Sequence, residues 1–547
     1  MGGQPVYILS EGAQRFLGRD ARRMNIMAAK VVAEAVKSTL GPRGMDKMLV
    51  DSTGDVVITN DGAAILKEVE IKHPAAKMMA EIAKTVEKEA GDGTTSAVVL
   101  AGELLKRAEN LLDQEVHATV IARGYRMAEE ESMRIVEKIS KEIKPTDEAS
   151  LRKVALTALY SKAPGITAKD HLAKLSTEAV KLVGEKTDGR LVIDKSDVKI
   201  QKQVGASTRE SEIINGVVID KERAHPGMPK VVEGAKIALL NIELKVKKTE
   251  TDAKFDISTP EQLQSFLDEE EETIRRMVKS IVDSGANCVI CQKDIDDLAQ
   301  YFLAKEGILA VKSVDGKDVK LIAKASGAKV VTNLKEMTEA DLGKAQRVEE
   351  RKIGGKEFVF IEGCEFPKAV TLFVRGGTEH VVDEAERSLD DAISVVRDVM
   401  EDGRIVAGGG ASMMEISRRL REFANTVGGR EQLAVIEFAE AMETIPRTLA
   451  ENAGLDPIDT IISLRAQHEK GRITAGINLV TGKPADMLKM GIMEPVKVRE
   501  QVIKSATETA IMILRIDDVI AAKGALTAEE EKEEKAPPTP PAGMPSY

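Results

Sequence analysis

The sequence predicts a multidomain chain in which a mainly α-helical part, built around anion-binding turns, is interrupted by an α/β segment and then resumes. Three observations predict it. Glycine-containing turns suited to phosphate occur at 41–44, 61–62 and 91–96, and a fourth lies far downstream at 408–410. Apolar residues recur at helical spacing through 19–142 and again through 378–468. Between these stretches, after residue 185, short strand-like runs alternate with helical ones, the pattern of an α/β domain. If the four turns share one site, the middle is an insertion. A chain of 547 residues has room for three or four domains at roughly 100–200 residues each.

The elements follow in order. Residues 19–40 carry Met24, Met27, Val31, Ala35 and Val36 at helical spacing, and Gly41-Pro42 stops that helix. "KMLVDS" and "DVVIT", joined by Thr53-Gly54, read as a hairpin. Asn60-Asp61-Gly62 turns into a short helix at 63–70. Helices then continue to about 142, broken at 91–93 and near His117. "RLVIDK", "KIQKQV", "NGVVID", "AKIALLNI", "NCVICQ", "GILAVKSV" and "AKVVTN" are strand-like, with helix between them, as at 294–305. Residues 473–480 read as strand and 495–520 as helix with strand; 525–547 is an acidic, Pro-rich tail expected to be disordered.

One helix start is unusually explicit. Thr259-Pro260-Glu261-Gln262 supplies an N-cap, a proline at the first helical position and an amide three residues on. The helix aligns Leu263, Leu267, Ile274, Val278 and Ile281, and Asp268 to Glu272 is an acidic run across it. Phe255 and Ile257 precede it in a polar loop. The segment reads either as a surface helix with a solvated acidic face or as a protrusion whose apolar tip has a partner.

Composition excludes several functions. A formal net charge of −11, aromatics at 3% and no Trp argue against nucleic-acid binding. No apolar run approaches the ~20 residues of a membrane span, no secretory signal pattern is visible, and position six lacks the Ser or Thr of a myristoylation site. Three cysteines, an odd number, fit a reducing compartment, so a cytoplasmic protein is expected. Cys288 and Cys291 form a lone C-x-x-C in an apparent strand, where positions three apart face opposite sides, which argues for buried structural cysteines over a metal or redox pair.

The chemistry centres on "GDGTTS" at 91–96. A helix start presents unpaired N–H groups and partial positive charge, glycines admit an anion closely, and hydroxyls add donors. A carboxylate at that place would repel phosphate unless a cation stood between them, and Mg²⁺ typically takes one or two carboxylates together with phosphate oxygens. The alternative is a tight interhelical turn capped by Thr94. "LGPRGMDK", "TNDGAAIL" with Asp61, and "VAGGGASMME" offer the same backbone chemistry, and each alone reads equally as a plain turn. Four such turns, two carrying an Asp, point to one shared site. Neither a Walker motif nor a dinucleotide fingerprint fits: no Gly-Lys pair is followed by Ser or Thr, and Ser96 stands where a third Gly belongs. Farther along, the helix "EHVVDEAERSLDDAISVVRDVM" aligns Val382, Ala385, Leu389, Ala392, Val396 and Val399. Asp390 and Asp391 lie beside that stripe, either as solvated charges or as a base for phosphoryl transfer.

Together "TLGPRGMDKMLVD", "TNDGAAILKE", "EAGDGTTSAVVLAGELL", "RGGTEHVVDEAERSLDDAI", "VAGGGA" and "GINLVTGKPADM" resemble the group II chaperonins, nearest to the archaeal thermosome, over about residues 6–525. The resemblance implies an equatorial ATP-binding domain at 1–148 plus 405–525, an intermediate hinge at 149–217 plus 370–404, and an α/β apical domain at 218–369. Its helical protrusion, about 245–280, would be a built-in lid. It implies ATP/ADP and Mg²⁺ as ligands, unfolded proteins as clients, and a homo- or hetero-oligomeric double ring with eight or nine subunits per ring. By motif, Asp92 would hold Mg²⁺, and Gly93, Thr94, Thr95 and Ser96 the phosphates. Leu40, Gly41 and Pro42 would contact the nucleotide. Asp61 and Asp391 would position the attacking water, with Asp391 the base. Lys162 would sense the γ-phosphate. Gly409 and Glu494 would hold the nucleoside end, with Asn478 and Arg499 nearby. Ala64 departs from the family's Thr, and the tail lacks the family's common Gly-Met repeats. Two other classes compete, a soluble phosphotransferase and a ring scaffold that binds nucleotide without hydrolysing it.

Overall fold

A computed structural model describes residues 14–50, 52–162, 168–246, 260–364 and 368–521. The chain divides into two compact units: one combines the residues up to Lys141 with those from Val406 onward, and the other is Glu142–Ile405.

The first unit is helical around Thr94–Asp113, in which Ala97, Val98, Leu100, Ala101, Leu104 and Leu105 are all buried. A helix apolar on every side is a core helix. Gly18–Lys37, Pro74–Ala90, Glu431–Met442 and Val496–Leu514 pack against it. Gly102 sets one of these approaches, since a Cβ there would stand 2.3 Å from Ala33 Cβ. The helix starts are chemical: His73 and His117 cap Pro74–Ala90 and Ala118–Ile139 through their side chains, and Pro74 takes the first helical position. The hairpin pairs Lys47–Val50 with Val56–Thr59, and Gln14–Leu17 pairs antiparallel with Asp518–Ala521.

The first helix corrects the sequence reading. It ends at Lys37, where Ser38 is the cap and the Thr39 hydroxyl bonds Val36 O. Its buried face is Ile26, Ala29, Val32, Ala33 and Val36, whereas Met27 and Val31 are 57% and 61% exposed. Both stripes have helical period. The buried one wins because its alanines let the core helix approach closely.

The second unit holds a mixed sheet in the order Leu309–Val311, Cys288–Cys291, Val231–Leu240, Gly343–Ile353, Lys356–Cys364, Gly216–Ile219, with Val330–Val331 beside Val231–Leu240. Val231–Leu240 pairs parallel with Cys288–Cys291 and with Val330–Val331, and Cys288–Cys291 parallel with Leu309–Val311; the other pairings are antiparallel. The Gly343–Ile353 and Lys356–Cys364 hairpin was absent from the predicted strands. Its first strand spends outward positions on charge, Arg351 pairing with Glu362 across the hairpin and Glu349 with Arg347 and Arg351 along the strand, so its apolar signal is thin. A smaller sheet runs Val198–Val204, Val370–Gly376, Glu212–Ile214, with the outer two flanking Val370–Gly376. Helices Lys169–Val183 and Glu379–Asp402 pack on it, and Glu148–Lys162 packs on both helices. All six predicted stripe residues of Glu379–Asp402 are buried.

The cysteine reading holds. Cys288 packs in the apolar cluster on one sheet face, with Ile237 and Leu309, and Cys291 in the cluster on the other, with Leu240 and Ile281. Burial pushes the Cys288 thiol up to about 12 and the Cys291 thiol to about 11, so neither is a thiolate at neutral pH.

Helix Pro260–Asp283 starts at the predicted proline. Only its C-terminal half is anchored: Ile274, Val278 and Ile281 are buried, while Phe266 and Leu267 are exposed. Phe255 and Ile257, and the side chain of Leu263, lie outside the described residues. No helix among the described residues is long and apolar enough to cross a membrane.

Candidate functional site

Within the first unit two of the four turns touch directly, and two helices, Val496–Leu514 and Thr444–Asn452, connect the others. Helix Pro74–Ala90 ends on Gly91 in the left-handed region, φ 70°, its N–H bonded to Val86 and Glu87 carbonyls. Gly93, φ 88°, is the N-cap of Thr94–Asp113 and supplies no side-chain cap, so the cap is Gly93 and not Thr94. Uncapped first-turn N–H groups are what an anion needs. The Gly93 N–H donates to Asp92 Oδ1 at 2.6 Å, which fixes that carboxylate beside the helix start.

Asp61 caps the next helix, Gly62–Glu68, by accepting from the Ala64 N–H at 2.9 Å. The donor is backbone, so Ala in place of the family's Thr leaves this bond intact. The Thr94 hydroxyl donates to Asp61 Oδ1 at 3.3 Å. A Cβ on Gly62 would stand 2.6 Å from Thr95 Oγ1. Two helix N-termini therefore abut, and their partial positive charges favour an anion at their junction.

The helix Val496–Leu514 links this pair to the distant turn. Val502 and Val498 press on Gly93, at 2.7 and 3.1 Å from the place of a Cβ. Arg499, on the same helix and buried, pairs with Glu494. Glu494 Oε1 in turn lies 3.0 Å from where a Cβ on Gly408 would be. The helix Thr444–Asn452, to which the sequence reading gave no role, joins the remaining turns. Pro446 Cβ is 2.7 Å from the Cβ place of Gly410, and Leu449 Cδ2 is 2.3 Å from that of Gly41. Asn452 Nδ2 donates to Leu40 O at 2.9 Å and to Lys37 O at 3.1 Å. Gly41, Gly409 and Gly410 all have positive φ, so both the backbone shape and these contacts demand glycine. The available sequence signal was Pro446 and Asn452 inside a helical run, which periodicity does not rank as functional.

Other predicted residues fall as follows. Gly409 O accepts from the Ile477 N–H at 3.1 Å, which seats the strand Ala475–Asn478 on the turn. Asn478 spends its Oδ1 on its own loop, accepting from Val480 N and Thr481 N at 2.9 and 3.2 Å. Its oxygen is thus a turn-former. Leu40 is buried, Pro42 is exposed, and Ser96 sits in the first turn of its helix. Asp391 and Lys162 belong to the second unit. Asp391 is 8% exposed on Glu379–Asp402, whereas its neighbour Asp390 is held by Lys195 at 2.5 Å. Lys162 ends the helix Glu148–Lys162, and its side chain lies outside the described residues.

A buried charge cluster braces the 408–410 turn from behind. Glu415, fully buried on the helix that begins after Gly410, accepts from Arg418 and Arg419 at 2.8 and 2.7 Å. His468 Nδ1 lies 2.8 Å from Glu415 Oε2 and its Nε2 2.8 Å from Ala475 O. Burial alone would raise the Glu415 carboxyl, but bonds from His468, Arg418 and Arg419 overcome it and hold it at about 2. A depressed folded-state value contributes stability that is present above the ordinary value of 4.5 and is lost as pH falls toward 2. Thermal unfolding followed across that window is expected to show a steeper acid loss for the wild type than for Glu415→Gln. Parallel curves for the two proteins would contradict the assignment.

The residues present fit a nucleotide with its metal. The helix starts at Gly93 and Gly410 carry no side-chain cap, the glycines of the turns are pressed so closely that a Cβ would collide, and Asp92 stands fixed at the first of these starts. No group of three or more His, Cys, Asp or Glu among the described residues is placed to hold a metal ion by itself, and Mg²⁺ typically takes one or two carboxylates with phosphate oxygens and water.

A helical unit interrupted in sequence by an α/β unit is the arrangement that the motifs led one to expect. The chain belongs to the TCP-1/cpn60 chaperonin family, whose model matches residues 32–524. It is 58% identical to a thermosome subunit of Pyrococcus horikoshii over 533 residues, covering 97% of this chain and 96% of that one. It is 59% identical to thermosome subunit alpha of Archaeoglobus fulgidus over 530 residues, with coverage of 97% and 96%. The structure of an open-state monomer of a group II chaperonin from Methanococcoides burtonii matches with TM-score 0.59 and 45% identity, over 78% of this chain and 100% of that one. These comparisons bear out the group II, thermosome-type resemblance of the motifs. The function is that of an ATP-dependent molecular chaperonin, and neither a phosphotransferase nor a non-hydrolysing scaffold is favoured.

Proposed function

We propose that this chain is a subunit of a cytoplasmic double ring, eight or nine subunits per ring, that hydrolyses Mg·ATP to enclose and release unfolded proteins. The observation that carries the nucleotide reading is the chain of contacts running from Gly62 through Thr95, Gly93, Val498 and Arg499 to Glu494 and Gly408. These contacts connect residues far apart in sequence. In this reading Asp92 holds the metal, and the N–H groups and hydroxyls of Gly93, Thr94, Thr95 and Ser96 hold phosphates. Leu40, Gly41 and Pro42 line the nucleotide. Gly409, Glu494 and Arg499 take its nucleoside end, with Asn478 contributing through Nδ2. The metal, when bound, neutralises phosphate charge and lets a carboxylate and phosphates share one site. Asp391 accepts the proton of the attacking water, Asp61 fixes that water's position, and Lys162 reports the γ-phosphate.

The division into equatorial (1–148, 405–525), intermediate (149–217, 370–404) and apical (218–369) domains belongs to the same proposal. Exposed Met27, Val31, Met48 and Val50 are apolar surface that neighbouring copies in a ring would cover. The half-anchored helix Pro260–Asp283, with exposed Phe266 and Leu267, supports the lid assignment for 245–280.

The test is refolding of a denatured client by the assembled protein with and without ATP. ATP-dependent recovery is expected, and recovery that ignores nucleotide would overturn the reading. Deleting about 250–275 should spare ring assembly and ATPase but abolish enclosure of the client, read as loss of its protection from protease. Full protection by the deleted protein would remove the lid from the proposal.

A further inference from the structure

Between Thr59 and Asp61 stands a residue to which no role has been given. Asn60 is 3% exposed, and neither its Oδ1 nor its Nδ2 has a hydrogen-bond partner among the described residues. Its neighbours are committed: the Thr59 hydroxyl accepts from the Asp61 N–H at 3.1 Å, and the Asp61 carboxylate takes the Ala64 N–H and the Thr94 hydroxyl. Burying an amide with nothing to bond is unfavourable, and an apolar residue of the same size would avoid the cost. A buried, wholly unpartnered amide one residue from the abutting helix starts calls for a ligand that the bound state supplies.

We infer that Asn60 is a further residue of the nucleotide site, acting at the terminal phosphate. This rests on the proposed nucleotide reading and deepens it. Asn60 immediately precedes Asp61, whose carboxylate the Thr94 hydroxyl contacts. The nucleoside end hangs on the 408–410 turn, which Asn60 does not adjoin in sequence or by any contact described above. A primary amide both donates and accepts. Nδ2–H donates to an oxygen of the terminal phosphate, and Oδ1 accepts from the attacking water. A carboxylate in its place could not donate, and an ammonium could not accept.

The test uses the assembled full-length protein and two probes, ADP and a non-hydrolysable ATP analogue, with affinities measured by calorimetry in the presence of Mg²⁺. Asn60→Ala is expected to weaken the analogue about tenfold, the order of a hydrogen bond to a charged group, and to leave ADP within about twofold. Asn60→Asp should weaken the analogue further, by charge repulsion, with ADP again less affected. Thermal unfolding without nucleotide gives an independent readout. Asn60→Leu should match or exceed the wild type, because the lost amide had no partner.

Equal losses for ADP and analogue, or no loss for either, would overturn the inference. So would a lowered unfolding temperature for Asn60→Leu, which would mean that the amide is satisfied by a buried structural water. Failure of the underlying reading looks different: the wild type itself would then bind neither probe.

Discussion

Asp391→Ala is expected to lower steady-state ATP turnover by about 10²–10⁴-fold, the usual contribution of a positioned general base, while nucleotide affinity stays within a few-fold of wild type. The two effects separate because binding is assigned to the turns of the first unit, none of which contains Asp391. The adjacent carboxylate is the natural control. Asp390 is engaged by Lys195 at 2.5 Å and is the more exposed of the two, so Asp390→Ala should cost little turnover. Asp391 lies beside the buried residues Leu389 and Ala392, so Asp391→Asn, which keeps the shape, should reproduce the loss without disturbing the helix. Normal turnover in either Asp391 variant would remove it from the chemistry.

Asp92→Ala is expected to act on binding. The carboxylate is fixed by the Gly93 N–H at the helix start proposed to take phosphate, where it would repel that ligand unless a cation intervened. Its removal should weaken Mg·ATP by at least the roughly 10–100-fold that losing even a supporting residue costs at a metal site. Affinity for ATP in excess chelator should not fall, and should rise if repulsion dominates. In this variant, then, affinity falls in the titration with Mg²⁺ and does not fall in the titration without it. Equal affinity of the wild type for ATP under both conditions would contradict the metal assignment.

Much of this was legible in the sequence, and the reasons differ by element. Gly91, Gly93, Gly409 and Gly410 were legible because positive φ and close approach leave a residue-type signature. The separation of Cys288 from Cys291 was legible because strand period fixes which way each points. Met27 and Val31 keep helical spacing yet face outward, since periodicity identifies a face without saying which neighbour covers it. The brace from Pro446 to Asn452 was invisible, because its role lies in which backbone it touches, and that is decided by tertiary packing. Asn478 looked like a ligand by motif, yet its oxygen serves the turn at Val480 and Thr481, a local competition typical of Asn. The hairpin Gly343–Ile353 with Lys356–Cys364 escaped because ion pairs across its strands replace much of the apolar alternation that marks a strand.

The central claim is that ATP hydrolysis drives movement of the segment 245–280 proposed as a lid. It is tested most directly by protease cleavage within 245–280 in the assembled protein, followed without nucleotide and with ATP plus aluminium fluoride. The account predicts that cleavage is fast without nucleotide and strongly suppressed with it, and that Lys162→Ala restores cleavage while nucleotide remains bound. Cleavage at the same rate in all three conditions would show an ordinary surface helix uncoupled from the nucleotide site, and would contradict the account.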